Sequence, residues 1–147
     1  MSNQMNIQEL LRAQSVKRWV IVDTVRQQSL AEHTFNVCMI ARNLCKRIGI
    51  DDIKVMKAAL AHDLDEIRTG DIPTPAKAEA RAQGVDFNEI YQRVTTSDGL
   101  DEQEVTVLKV ADGLEGLWFI SNFGIGRHAE EVRIYCKELF HDLADSI

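Results

Sequence analysis

The chain contains only two prolines, and both lie in one short stretch, Pro73-Thr74-Pro75. Proline lacks a backbone donor, so the rest of the chain is free of the strongest helix breaker. Apolar residues recur at helical spacing along almost all of the 147 residues. The sequence therefore predicts an all-α fold, a bundle of about six or seven helices with short links, in a single domain over residues 1–147.

Capping residues and glycines indicate where the helices begin and end. Ser29 followed by Glu32 is a capping-box pattern, which predicts a helix from about residue 30 to 47 that Gly49 terminates. The pair Asp101 and Glu104 predicts a second box and a helix to about residue 122. Further helices are predicted over residues 51–70, 76–83 and 86–95, with a last one ending near 145. The apolar stretch 19–22 is interpreted as a buried connector or a short helix.

Charge and cysteine content narrow the class of protein. Asp and Glu total 23 against 17 Lys and Arg, and the net charge of -6 disfavours a surface that binds a nucleic-acid polymer. A small phosphorylated ligand is still compatible with this charge. The three cysteines, Cys38, Cys45 and Cys136, form no disulfide or zinc pattern and are expected to be reduced. No signal segment or membrane-length apolar run is visible, so a cytoplasmic protein without a membrane partner is expected.

Four polar residues interrupt the apolar faces of the predicted helices. His33 begins the inward stripe of its helix, His62 and Asp63 lie within an alanine- and leucine-rich helix, and Asp112 follows Leu108 on the same side. Buried carboxylates are costly unless they are paired or bind a metal. Together the four predict a metal site of imidazole and carboxylate ligands. The alternative is structural: a lone core histidine is usually hydrogen-bonded, and Asp112 could pair with Lys109.

The order and flanks of these residues resemble the HD-domain phosphohydrolases, and within them the HD-type 5'-deoxynucleotidases. The resemblance is carried by Arg18-Trp19, Ala31-Glu32-His33, His62-Asp63-x-x-Glu66, Thr69-Gly70-Asp71-x-Pro73-Thr74-Pro75 and Ala111-Asp112. These motifs extend from residue 18 to 112. The residues from Arg127 onward carry no motif of the family.

The resemblance implies a role for each matching residue. His33, His62, Asp63 and Asp112 match the metal ligands, and Glu66 matches the catalytic carboxylate. Glu66 is expected to project from the same helix face as His62, one turn along. Arg18 matches a phosphate-binding arginine, Trp19 a residue that packs on the sugar and excludes a 2'-hydroxyl, and Asp71 an acid near the sugar. Lys77 is expected to meet phosphate oxygens.

The segment Trp19-Val20-Ile21 and Pro75 are similar to those of small phage dATP triphosphohydrolases of this superfamily. Ile21 and Pro75 are expected to enclose a purine base. The resemblance thus implies cleavage between the α phosphorus and O5' of a 2'-deoxynucleotide, with dATP preferred. The alternative is a 5'-deoxynucleotidase that acts on monophosphates. A nucleotide sensor without turnover and a structural bundle with a buried polar network remain as other classes.

The cofactor expected from this donor set is a divalent transition metal, Zn²⁺, Co²⁺ or Mn²⁺, with Mg²⁺ considered for a second site. The expected partner is a small-molecule deoxynucleotide. The family also suggests a homo-oligomer, either a dimer or a hexamer, in which the last helix could supply an interface.

Overall fold

A computed structural model of the chain describes residues 5–86 and 99–145. The helices in these ranges are α1 (Ile7–Leu11), α2 (Leu30–Ile48), α3 (Ile53–Ala61), α4 (Glu66–Thr69), α5 (Thr74–Ala82), α6 (Glu102–Phe123) and α7 (Gly126–Ala144), with a 3₁₀ turn at Arg12–Ser15. Extended pairing in the described residues is limited to two isolated bridges. The all-α prediction is confirmed. The helix predicted over 86–95 falls, beyond its first residue, outside the described residues.

The capping box predicted at the start of α2 is present. The Ser29 hydroxyl accepts a hydrogen bond from the Glu32 backbone at 3.1 Å, and the Glu32 carboxylate accepts one from the Ser29 backbone at 3.2 Å. Gly49 ends the helix with a left-handed φ of 77°. Because the cap fixes the first turn of α2, it also fixes the direction of His33, which is completely buried.

The core lies between α2, α3 and α6. It contains Val37, Cys38, Ala41, Cys45, Val55, Ala59, Val107 and Ala111. Cys38 and Cys45 are buried free cysteines, as predicted. The second capping box, at Asp101, starts α6, and α7 packs on α6. No helix among the described residues is long and apolar enough to cross a membrane.

The single helix predicted over 51–70 is wrong in its second half. Helix α3 ends at Ala61, and residues 62–65 form tight turns before α4 begins at Glu66. The amide of Glu66 bonds to the carbonyl of Asp63 and that of Ile67 to Leu64, a spacing of three residues instead of four. This tightening rotates the side chains that follow Ala61 away from their positions on a regular α-helix.

Glycine closes the loop that follows α4. Gly70 has φ 73° and ψ 172°, a conformation that is open almost only to glycine. The chain then passes through Asp71 to Pro73 and enters α5 at Thr74, two residues earlier than predicted. Pro75 lies in the first turn of α5, where a proline is tolerated because its missing donor has no partner there.

The segment between the 3₁₀ turn and α2 is irregular. It is pinned to the rest of the chain by the bridges Lys17 to Ser29 and Thr24 to Gly124. The sequence-based interpretation of its apolar stretch as a buried connector is wrong for Val20 and Ile21, which are both more than half exposed. Trp19 is the one non-glycine residue with a positive φ, 60°, among the described residues.

Candidate functional site

The four predicted metal ligands meet at one point although they come from three parts of the chain. His33 lies on α2, His62 and Asp63 follow α3, and Asp112 lies on α6. One ligand atom from each residue lies within 4.8 Å of all the others. His33 Nε2 is 2.9 Å from Asp112 Oδ1 and 3.5 Å from Asp63 Oδ2. His62 Nε2 is 3.0 Å from Asp63 Oδ2 and 3.5 Å from Asp112 Oδ1.

Hydrogen bonds on the far side of each imidazole set its orientation. His33 Nδ1 is 2.6 Å from Glu115 Oε1, and His62 Nδ1 is 2.6 Å from the backbone carbonyl of Ala59. A carbonyl or a carboxylate can only accept, so in both rings Nδ1 carries the hydrogen. This leaves Nε2 as the atom that can coordinate a metal when the ring is neutral.

These groups fit a divalent cation. The two Nε2 atoms are buried, and within the described part of the chain they have no polar partner other than the carboxylates of the cluster itself. Four ligands around a tetrahedral zinc ion at roughly 2.1 Å lie about 3.4 Å from one another. The four nitrogen–oxygen distances, 2.9 to 3.5 Å, are close to that spacing, and all pairs of ligand atoms lie within 4.8 Å. Two imidazoles and two carboxylates are a donor set suited to zinc, cobalt or manganese.

Without a metal, the histidines and the aspartates of the cluster stabilise each other's charged forms. Burial alone would lower the pKa of His33, but Asp112, Asp63 and Glu115 outweigh it and raise the pKa to about 9. Burial is likewise outweighed at His62, where Asp112 and Asp63 raise the pKa to about 11. Burial would raise the pKa of Asp63 and of Asp112, but the two histidines hold both well below the usual value. Metal binding therefore has to displace protons from the histidines.

The cluster opens to solvent on one side. The side-chain exposure rises from 0% at His33 through 13% at His62 and 23% at Asp63 to 47% at Asp112. The expectation that the helix pattern buries Asp112 is therefore wrong, because its position on α6 faces the edge of the core. The exposed edge gives a ligand a route to the cluster.

Glu66 lies beside the cluster and is only 3% exposed. Its Oε2 atom has no hydrogen-bond partner in the described residues. Burial, followed by the negative charges of Asp63 and Asp71, raises the pKa of Glu66 to about 10. The expectation that Glu66 shares a regular helix face with His62 is wrong, because the tight turns at 62–65 separate α3 from α4. Glu66 nevertheless lies close enough to Asp63 and Asp71 for their charges to act on it, so Glu66 and Asp71 belong to the same site.

Arg18 and Trp19 meet at a buried glutamine. Arg18 Nε donates to Gln28 Oε1 at 3.1 Å, and Trp19 Nε1 donates to the same oxygen at 3.0 Å. The Trp19 ring stacks on Phe119 with 5.9 Å between ring centroids. A left-handed backbone at such a bulky residue costs about 1–3 kcal/mol and persists only where the surroundings hold it. The hydrogen bond and the stacking are the interactions that hold Trp19.

The three remaining predicted residues lie at the surface or near it. Ile21 and Pro75 are exposed, Ile21 on the irregular segment and Pro75 on α5. Lys77 is half-buried on α5, and its positive charge acts on Asp65. The structure thus groups Glu66 and Asp71 with the four-residue cluster. It connects Arg18 and Trp19 to that cluster through Gln28 and Glu115.

Sequence reasoning missed three polar residues behind the cluster. Gln28 and Glu115 are each 1% exposed, and Asn36 is half-buried. Gln28 Nε2 and Asn36 Nδ2 donate to Glu115 Oε2 at 2.8 and 3.1 Å. A signal was present for Glu115, because it lies three residues after Asp112 and therefore on the same side of an apolar helix. No sequence pattern distinguishes Gln28.

The fold and the site together define a helical domain in which two histidines and two aspartates are grouped so that they could hold a metal ion. The model of the HD domain family matches residues 10–130. The chain belongs to the HD domain family, as its motifs predicted.

Individual relatives narrow this class. The chain is 36% identical to a dATP triphosphohydrolase of Salmonella phage PMBT28, over 93% of this chain and 77% of the relative. It is 30% identical to a 5'-deoxynucleotidase of Shewanella oneidensis, over 71% of this chain and 67% of that protein. Among solved structures, the HD phosphohydrolase of cyanophage S-2L, bound to dA and one catalytic Zn²⁺ ion, superposes with a TM-score of 0.83 at 31% identity. That match covers 93% of this chain and 83% of the other.

Proposed function

We propose that this chain is a metal-dependent phosphohydrolase that cleaves the bond between the α phosphorus and O5' of a 2'-deoxynucleotide. The preferred substrate is dATP, and the products are deoxyadenosine and triphosphate. The observation that carries the proposal is the convergence of His33, His62, Asp63 and Asp112, with the buried Glu66 beside them. The similarity to dATP triphosphohydrolases over more than nine-tenths of this chain supports it.

We propose His33, His62, Asp63 and Asp112 as the ligands of a divalent transition metal. Zn²⁺ is the first choice because the similar cyanophage structure contains a catalytic Zn²⁺ ion, and Co²⁺ and Mn²⁺ suit the same donors. When bound, such an ion acidifies a coordinated water and neutralises charge on phosphoryl oxygens. Mg²⁺ is proposed for a second site, where the phosphate oxygens of the substrate would be among its ligands.

The chain's own residues then bind the substrate and move a proton. Arg18 can hold two phosphate oxygens with its planar guanidinium, and Lys77 can add a point charge. The O5' leaving group needs a proton, and Glu66 is the group assigned to deliver it or to orient the attacking water. Its buried Oε2 atom, for which the described residues give no hydrogen-bond partner, is the atom assigned to that transfer.

Trp19, Asp71, Ile21 and Pro75 are proposed to select the nucleoside. Trp19 packs on the sugar where a 2'-hydroxyl would lie, and Asp71 contacts the sugar. Ile21 and Pro75 present apolar surfaces to the purine, and they offer no polar partner to a 2-amino group. The exposure of Ile21 and Pro75 supports this role, because neither side chain is packed in the core and both are free to contact a base.

A second candidate is a 5'-deoxynucleotidase that releases phosphate from deoxynucleoside monophosphates. The 30% identity to the Shewanella oneidensis enzyme favours it. The same bond is broken in both reactions, so the two candidates differ only in which phosphate chain the site accepts.

A substrate panel with product identification distinguishes the candidates. Purified protein is incubated with dATP, dAMP, dGTP and ATP, each with Zn²⁺, Co²⁺, Mn²⁺ or Mg²⁺. Deoxyadenosine and triphosphate from dATP, with slow turnover of dAMP, support the proposal. Phosphate from dAMP without turnover of dATP would support the nucleotidase. No hydrolysis of any nucleotide by metal-loaded protein would contradict both.

The assembly and location of the protein are also proposals. Residues 1–147 form one domain, and the protein acts in the cytoplasm without a membrane or nucleic-acid polymer as partner. A homo-oligomer, dimer or hexamer, is supported by the exposed apolar side chains Ile134, Tyr135 and Leu139 on α7. Light scattering measures its mass, and a monomer at micromolar concentration would contradict it.

A further inference from the structure

Gln28 connects two parts of the site that lie far apart in the sequence. Its side-chain oxygen accepts hydrogen bonds from Arg18 Nε and Trp19 Nε1. Its side-chain nitrogen donates to Glu115 Oε2 at 2.8 Å, and Glu115 Oε1 holds His33 Nδ1 at 2.6 Å. A continuous path of hydrogen bonds therefore joins the residues assigned to the nucleotide with a residue assigned to the metal.

The chemistry of its neighbours allows only one orientation of the Gln28 amide. Arginine and the tryptophan indole can only donate, so the amide oxygen must face Arg18 and Trp19. An ionised carboxylate can only accept, so the NH₂ group must face Glu115. Both ends of the Gln28 amide are therefore fixed. In a flipped amide, the NH₂ group would face the N–H groups of Arg18 and Trp19, and the oxygen would face the carboxylate of Glu115.

The position of the Trp19 ring depends strongly on its hydrogen bond to the Gln28 amide. Its backbone is left-handed, with φ 60°, so its ring is not held by regular secondary structure. The backbone carbonyl of Gln28 also accepts a hydrogen bond from the Arg18 amide at 2.9 Å. Main chain and side chain of Gln28, together with the stacking of Trp19 on Phe119, determine where the guanidinium and the indole lie relative to α2.

We propose that Gln28 is a positioning residue that holds Arg18 and Trp19 in register with His33, so that phosphate binding and the exclusion of ribonucleotides depend on it. The inference rests on the proposed function, because it assigns the phosphate to Arg18 and the sugar to Trp19. Gln28 itself touches neither metal nor substrate in this assignment. Its loss should therefore change KM and the preference for deoxynucleotides more than kcat.

The test compares Gln28→Met, which keeps the length of the side chain and removes both hydrogen-bonding groups, with the wild type. For dATP, KM is expected to rise about tenfold, as for the loss of a hydrogen bond to a charged group. The ratio of kcat/KM for dATP to that for ATP is expected to fall about tenfold with it. This ratio does not depend on the fraction of folded protein, so lower stability alone leaves it unchanged.

A second readout needs no metal and no nucleotide. In a Trp118→Phe background, Trp19 is the remaining tryptophan, and its acrylamide quenching reports how firmly the ring is held. Quenching is expected to increase in Gln28→Met. If quenching, KM and the dATP to ATP ratio all stay at wild-type values, the inference is overturned and Gln28 is only a core residue.

Asn36→Leu is the matched control, because Asn36 donates to the same Glu115 oxygen but to neither Arg18 nor Trp19. It should leave Trp19 quenching and the dATP to ATP ratio unchanged. Equal changes of quenching and of the dATP to ATP ratio in Asn36→Leu and Gln28→Met would overturn the inference. The changes would then come from the disturbed Glu115, and the hydrogen bonds of Gln28 to Arg18 and Trp19 would not matter.

Two further arms keep the test decisive. If Gln28→Met does not fold, Gln28→Asn replaces it, because its shorter side chain cannot span Arg18 and Glu115. If neither folds, hydrogen exchange of the Trp19 indole in the wild type decides: exchange as fast as that of the exposed Trp118 indole overturns the inference. A wild type that hydrolyses no deoxynucleotide contradicts the proposed function, whereas the quenching and exchange results still test Gln28.

Discussion

Glu115 Oε1 lies 2.6 Å from His33 Nδ1, and both side chains are almost completely buried. The two residues are separated by 82 positions in the chain, on α6 and α2. This contact fixes the ring of His33 and leaves its Nε2 atom toward Asp63 and Asp112. A carboxylate behind a metal-ligating histidine raises the basicity of the ring and orients it.

Replacement of Glu115 by glutamine should weaken metal binding by about 10- to 100-fold, as for other groups behind metal ligands. The new amide cannot accept hydrogen bonds from Gln28, Asn36 and His33 at once, because an NH₂ group, which donates, replaces one of the two carboxylate oxygens. Competition with a chelator measures the affinity. Glu130→Gln on the exposed face of α7 is the control. An unchanged affinity in Glu115→Gln would show that the contact does not support the site.

Asp63→Asn should remove most of the bound metal while the helices are retained. The amide keeps the size of the side chain but loses the charge that a cation needs. Metal content by mass spectrometry and helix content by circular dichroism are the two measurements. Asp65→Asn, the same change two residues away and outside the cluster, should keep its metal. Equal metal content in both variants would contradict the assigned ligand set.

Glu66→Gln should lower kcat by about 10²- to 10⁴-fold, the usual contribution of a general acid or base, and leave the metal content intact. Glutamine matches the shape of the buried side chain but cannot carry the proton. Turnover of dATP and metal content are measured on the same preparation. Wild-type turnover in this variant would remove Glu66 from the mechanism.

The melting temperature of the metal-free protein should fall as the pH rises from about 6.5 to 9. The folded state raises the pKa of His33 from 6.5 to about 9, so it binds a proton more tightly than the unfolded chain does. The stability from this group is complete below pH 6.5 and is lost as the pH passes through the folded value. For Asp63, whose pKa is lowered from 3.8, stability is lost on the acid side instead.

Bound metal should reduce the loss of folding stability at alkaline pH, because the cation replaces the protons of the histidines. Thermal scans across this range, with Zn²⁺ and with a chelator, test both statements. A melting temperature that rises from pH 6.5 to 9 without metal would contradict the charge assignment of the cluster.

Local sequence signals predicted the helices that carry the site. The box of Ser29 and Glu32 and the stop at Gly49 predicted α2 to within one residue, because capping depends on neighbours a few positions apart. The spacing of His33, His62, Asp63 and Asp112 similarly led to the cluster, since a polar residue on an apolar face is visible in the sequence itself.

The same signals failed where long-range contacts compete with periodicity. The helical spacing of Ala59 and Leu60 resumes at Ile67, beyond the mostly polar residues 62–65, yet the chain tightens at 62–65, and Glu66 lies close to Asp63 and Asp71. Val20 and Ile21 are as apolar as core residues but face solvent, because the segment is held through its neighbours Trp19 and Thr24.

The sequence alone therefore determined the all-α class, the caps and the residues able to bind a metal, since these follow from side chains within a turn or two of one another. Only the tertiary structure decided how those residues are oriented. On the path from Trp19 through Gln28 and Glu115 to His33, a single hydrogen bond spans as many as 87 positions of the chain. Such contacts depend on how α2 and α6 pack, and no local pattern encodes that packing.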